Sequence, residues 1–187
     1  KQLSDEVIFQ LEQHIFDVNP TCKTIIAFDG IAPMAKIQQQ RERRFKSNLE
    51  RNIRSSLYNK KETWDTCNIT PGTKFMKDLM CKLEDYFSKF ENIEIYSSNE
   101  PGEGEHKLFE YIRTHPEQHK NLNTVVYGLD ADLIMLTLIH TKISPNLYLF
   151  RETPHFISSI DSNLIPEEHY VLDIYELGEK LNEQMST

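Results

Sequence analysis

The chain is poor in several groups that small proteins use to staple a fold or hold a metal. Cysteine occurs three times, as Cys22, Cys67 and Cys81, an odd number with no CxxC spacing. That excludes a thiolate zinc site and a disulfide framework as expectations, and favours reduced thiols in an intracellular protein, cytoplasmic or nuclear. The seven histidines are scattered along the chain, which gives no support to a histidine-rich zinc centre. No apolar run approaches the roughly 20 residues that a membrane-spanning helix needs. Internal repeats and low-complexity segments are also missing, so solenoids and fibrous arrays are excluded. What remains is ordinary globular composition, 39% hydrophobic and 27% charged over 187 residues, enough for a proper core. The chain opens at Lys1 without a signal-peptide pattern and is expected to be a trimmed or partial sequence.

Positive charge is in deficit as well, since the net charge is −8. The deficit is uneven. Between Lys36 and Lys61 nine basic residues face two acids, a local net of +7 that leaves −15 for the rest. A polyanion drawn to the basic stretch, with metal ions neutralising acids elsewhere, is compatible with that distribution.

Apolar spacing predicts a helix through Leu3, Val7, Ile8, Leu11 and Ile15, capped near Ser4, followed by a short buried strand over 23–28. A long polar helix is expected after Pro33 to about Leu57. A third helix is expected with Thr70 as N-cap and Pro71 at its first position, carrying Phe75, Leu79, Leu83, Tyr86, Phe87 and Phe90. Further strands are expected over 93–96, 124–129 and 147–150, with helices carrying Leu108 and Ile112, and then Ile174, Leu177 and Leu181 behind Asp173. Periodicity does not decide whether Leu133–Leu136 extends a strand or begins a helix. Strands alternating with helices imply an α/β fold with a mainly parallel central sheet flanked by helices.

Five carboxylates then stand out. Asp29, the Glu103/Glu105 pair and the Asp130/Asp132 pair each follow the carboxyl end of an expected strand, where open α/β sheets build sites. Each has a bland alternative: a turn aspartate, acids complementing a helix dipole, a chance Asp-x-Asp. Three such accidents at one sheet edge are less economical than a shared site for magnesium, or manganese in its place, which take hard oxygen ligands. Two such ions can hold a phosphodiester and activate water. Lys36, Gln40 and Arg43 share one helical face with Arg44 beside them, a donor set suited to a terminal phosphate. Arg51, Arg54, Lys60 and Lys61 are expected to be solvated charges, His106 a supporting residue, and Trp64 a core or surface residue.

With these segments in view the chain resembles the XRN family of 5′→3′ exoribonucleases. The matching stretches are AFDGIAPMAK at 27–36, QQRERRF at 39–45, ITPGTKFM at 69–76, PGEGEHK at 101–107 and YGLDADLIML at 127–136, with weaker landmarks at 149–152 and 172–174. The resemblance implies a PIN/FEN-like nuclease fold, with residues 1–187 as a single, partial N-terminal catalytic domain. It implies processive, magnesium-dependent hydrolysis of 5′-monophosphorylated RNA and a part in RNA degradation such as mRNA decay. It carries metal ligation onto Asp29, Glu103, Glu105, Asp130 and Asp132, and a 5′-monophosphate pocket that rejects capped ends onto Lys36, Gln40, Arg43 and Arg44. Met34 stands where family members usually have arginine, and the stretch between Phe45 and Ile69 is short. A first strand bearing another metal-site aspartate is expected upstream of Lys1, so the piece alone is expected to be weakly active or inactive. Two rival readings remain: a FEN-type, structure-selective DNA endonuclease, and a non-catalytic module that binds RNA 5′ ends.

Overall fold

The computed structural model describes residues 2–58, 64–153, 159 and 161–186. The chain divides into two compact units, Lys1–Lys107 and Leu108–Thr187. Among the described residues no helix is long and apolar enough to cross a membrane.

In the first unit, helix α1 (Gln2–Val18) turns Val7, Ile8, Leu11 and Ile15 towards a core, as their spacing predicts. Ser4 lies inside the helix, which begins at Gln2, so it does not cap, and Leu3 stays 43% exposed. Strand β1 (Thr24–Ala27) is β-branched at its first three positions, which suits a pleated, half-buried surface. It pairs in parallel with β2 (Ile93–Tyr96), from Thr24 opposite Ile93 to Ala27 opposite Tyr96. Between them run α2 (Met34–Tyr58) and α3 (Lys74–Phe87). Helix α3 buries Met76, Leu79, Met80, Leu83 and Phe87, one face at helical spacing. Each such side chain contributes about 1.5–3 kcal/mol when fully removed from water. Its cap is Thr73, whose hydroxyl accepts from Met76 N at 3.3 Å, and not the expected Thr70, whose carbonyl instead receives the Thr73 hydroxyl at 2.8 Å. Phe90 falls beyond the helix end and is half-exposed, because Ser88 already closes the helix.

Arg51 is not the solvated charge expected from the sequence. Its guanidinium donates to Asp65 Oδ1 at 2.6 Å, and the same oxygen accepts from Cys67 N at 2.8 Å, capping a 3-10 turn over Thr66–Asn68. The Arg51 hydrogen bond, then that from Cys67, holds the Asp65 carboxyl far below its ordinary value of 3.8. A depressed folded-state value means that this stabilisation is present above pH 3.8 and is lost as the pH falls through the lower folded-state value. Asp65→Asn is therefore expected to lower the thermal midpoint at pH 6, with the gap to wild type closing in acid. A gap that stays constant down to pH 2 would contradict this. Arg54 is exposed as expected, whereas Lys60 and Lys61 lie outside the described residues.

Helix α4 (Gly104–Thr114) begins in the first unit and ends in the second. The second unit continues with α5 (Pro116–His119), β3 (Thr124–Tyr127), α6 (Asp132–His140), β4 (Leu147–Glu152), β5 (His169–Asp173) and α7 (Ile174–Met185). Strands β3 and β4 pair in parallel, and β5 adds to β4 antiparallel. Its core joins Phe109, Ile112, Val126, Leu133, Leu147, Leu149 and Ile174. The stretch over 133–136 is helical, and Thr137 inside that helix returns its hydroxyl to Leu133 O at 2.7 Å, so its burial leaves no donor unmet. Asp173 caps α7 by accepting from Glu176 N at 3.0 Å, as predicted.

The chain is thus α/β with small, partly parallel sheets. The described strands form a two-stranded and a three-stranded sheet in place of the single central sheet expected. Helix–strand alternation implies parallel pairing of neighbours but carries no signal that successive pairs share one ladder. Strand β5 is additional to the sequence expectation; its five residues alternate between exposed and half-buried, a weak apolar signal.

Candidate active site

Two loops leave the carboxyl ends of β1 and β2 and are knotted together. Phe28 N donates to Tyr96 O at 3.0 Å, Gly30 N to Gly102 O at 2.7 Å, and Gly102 N to Ile31 O at 3.1 Å. The backbones approach so closely that a Cβ on Gly30 would lie 1.6 Å from Glu100 O. Glycine at position 30 is thus required by the space, beyond any preference of a turn.

Within this knot, Asp29 Oδ1 accepts from Gly104 N at 2.7 Å and so caps α4 from a distant part of the sequence. Glu103 and Glu105 flank that helix start, where backbone N–H groups and the helix dipole favour negative charge. Glu103 is only 8% exposed, and a carboxylate so withdrawn from water needs a compensating cation. Lys36 supplies it, its Nζ donating to Glu103 Oε2 at 2.6 Å. That bond first, and then the charges of Glu103, Glu105 and Asp29, raises the Lys36 ammonium above the ordinary lysine value. Lys36, expected from the sequence beside a phosphate, is paired with an acid in the structure. Glu103, Glu105 and His106 each offer a ligand atom within 4.8 Å of the others. Hard carboxylate donors suit a divalent cation such as magnesium or manganese, and Glu103 already faces a cation in Lys36. His106, half-exposed, lies 4.0 Å from Glu105 Oε1.

A cavity of about 640 Å³ lies beside the knot. Gln40, Arg43 and Arg44 of α2 line it together with Asp29 and Thr70, so three of the four expected phosphate-binding residues share one concavity with an acid. Lys36 does not line it. Gln40 and Arg44 are half-buried, and Arg44 Nε donates to Gln40 O at 3.3 Å, which turns its guanidinium back along the helix.

Asp130 and Asp132 belong to the second unit. Asp130 follows β3 and Asp132 opens α6; both are exposed, and Asp132 N points to Asp130 Oδ1 at 3.4 Å. Arg151 donates to Leu129 O at 2.9 Å, tying that loop to β4. Trp64 packs edge-on against Phe75 at 5.0 Å, which makes it a packing residue as expected.

One residue of the loop motif carries more than sequence reasoning assigned to it. Lys107 is 9% exposed, and its ammonium donates to Phe28 O at 2.9 Å, Ser97 O at 2.8 Å and Glu100 O at 3.1 Å. Burial pushes its pKa below the ordinary lysine value, with Glu100 and Asp29 pulling the other way. A lysine in a polar loop reads as solvated from sequence; only the convergence of carbonyls reveals the site.

The family model described as XRN 5′-3′ exonuclease N-terminus matches residues 1–153. The chain is 38% identical over 169 residues to 5′-3′ exoribonuclease 2 of Schizosaccharomyces pombe, covering 74% of this chain and 17% of that protein. It is 37% identical over 200 residues to 5′-3′ exoribonuclease 1 of the same yeast, covering 93% and 15%. To 5′-3′ exoribonuclease 1 of Saccharomyces cerevisiae it is 36% identical over 207 aligned residues, covering 96% and 13%. The chain therefore spans less than a fifth of the length of these relatives.

Proposed function

The chain belongs to the XRN 5′-3′ exonuclease family, and from that premise we propose that it forms part of a PIN/FEN-like catalytic region that trims 5′-monophosphorylated RNA. The observation that supports this reading is the meeting, in one small region, of Asp29 and Glu103 with a cavity lined by Gln40, Arg43 and Arg44. In this reading Asp29, Glu103 and Glu105 hold magnesium, and the cavity takes the 5′-phosphate of the terminal nucleotide; Asp130 and Asp132 are proposed as ligands on the family resemblance of their motif. Bound divalent ions supply Lewis acidity and a water of lowered pKa. The residues supply placement: arginine forks and an amide fix the terminal phosphate, so that the next phosphodiester falls at the acids.

Hydrolysis then adds water across the bond between phosphorus and the 3′ oxygen of the first nucleotide. The first nucleotide leaves as a nucleoside 5′-monophosphate, and the shortened RNA again begins with a 5′-phosphate. Each product end is thus the next substrate end, which permits repeated trimming of one RNA. Rejection of a cap or triphosphate is proposed on the family resemblance.

The test compares 5′-monophosphate with 5′-hydroxyl RNA of one sequence, with magnesium present, for binding and for trimming. Preference for the monophosphate is expected, and Arg43→Ala is expected to reduce it roughly tenfold or more, the loss of a charge-assisted hydrogen bond. Equal handling of both ends by wild type would overturn the phosphate pocket. Flap-dependent cutting of DNA with little RNA trimming would favour the structure-selective endonuclease, and binding without turnover in every form of the protein would favour an end-binding module.

A further inference from the structure

We propose that Lys107 is a positioning residue for this site, a buried ammonium that sets Asp29 against Glu103 before any cation binds. The inference rests on reading Asp29, Glu103 and Glu105 as cation ligands. Its geometry is a closed ring. The Lys107 ammonium holds Phe28 O at 2.9 Å, the residue after Phe28 is Asp29, Asp29 Oδ1 accepts from Gly104 N at 2.7 Å, and Gly104 leads through the first turn of α4 back to Lys107. Glu103 is fixed to the same ring, since Lys107 N donates to Glu103 O at 3.1 Å. The two remaining ammonium donors take Ser97 O and Glu100 O, the loop leaving β2.

Core stability alone does not call for such a residue. A buried ion is expensive to desolvate, and apolar replacements of buried ions are often neutral or stabilising. What an apolar side chain cannot do is hold three carbonyls from two loops at once. A compact ammonium has three donors that diverge, matching three acceptors at 2.8–3.1 Å. A planar guanidinium has a different donor geometry and a larger head, so arginine is not an equivalent here. The ammonium also places positive charge where the carboxylates of Glu100 and Asp29 feel it.

The test measures Mn²⁺ binding to this chain by electron paramagnetic resonance, with thermal unfolding followed in parallel. Leu83→Ala, a core truncation in the same unit, is the control for destabilisation alone; it is expected to lower the midpoint yet leave Mn²⁺ affinity of the folded protein within about twofold. Lys107→Met is expected to weaken Mn²⁺ binding at least tenfold at temperatures where it is folded. Lys107→Arg keeps the charge and carries the test if the methionine variant does not fold; it is expected to weaken binding severalfold. Binding lost in Glu103→Gln but unchanged in every folded Lys107 variant overturns the Lys107 assignment alone. Equal binding by wild type and Glu103→Gln overturns the ligand reading, and this proposal with it.

Discussion

Gly30→Ala is expected to destabilise the first unit by about 3 kcal/mol or more, at or beyond the upper end of what overpacking costs. The added Cβ would lie 1.6 Å from Glu100 O and 2.8 Å from Glu100 C, both backbone atoms that no rotamer change can move. Relief requires the two loops to separate. That movement stretches the Gly30–Gly102 hydrogen bond of 2.7 Å and withdraws Glu100 O from Lys107. Asp29, covalently next to Gly30, moves with them. For a unit of this size the thermal midpoint should fall by more than about 10 °C. Gly104→Ala is expected to be milder, because the nearest atom, Ala27 O, is 2.8 Å from the added Cβ. Chemical denaturation of the purified chain decides it: an unfolding free energy for Gly30→Ala within about 0.5 kcal/mol of wild type would refute the close approach.

Activity is where the largest change is expected from a small structural one. Glu105→Ala and Asp130→Ala should each lower the rate of 5′-end trimming by about 10²–10³, the scale of losing one preorganised electrostatic contributor. Neither change threatens the fold. The Glu105 side chain is 22% exposed at a helix start, where losing its charge costs about 0.3–1 kcal/mol, and Asp130 is exposed. The measurement belongs in the longest form of the protein that trims RNA, with magnesium saturating and circular dichroism confirming the fold. A folded Glu105→Ala variant with undiminished trimming would remove Glu105 from the site. The same result for Asp130→Ala would separate the second unit's acids from the chemistry.

The elements with strong periodicity were legible from sequence. Leu79, Leu83 and Phe87 recur at helical spacing and lie buried on α3; Ile93–Tyr96 is a strand at the expected bounds. Caps were less legible. Thr70 and Thr73 are both competent N-caps, and the choice fell to Thr73 because the turn before it places its hydroxyl at Met76 N. Phe109, fully buried and central to the second core, follows Leu108, the residue whose spacing predicts the inward face of that helix. A one-residue offset on a short helix turns the apolar face by 100°, and composition alone does not correct it.

The site divides in the same way. Spacing in the sequence marked Asp29, Glu103 and Glu105 as acids after strands, and Gln40, Arg43 and Arg44 as a basic helical face, since both depend on local periodicity. Whether a charge meets water, an ion or a backbone carbonyl depends on chain segments tens of residues away, and only the tertiary structure decided that. It set Lys36 on Glu103, Arg51 on Asp65 and Lys107 among three carbonyls. All three are lysines or arginines whose long, flexible stems reach several partners, so their roles follow from what the fold brings within hydrogen-bonding distance.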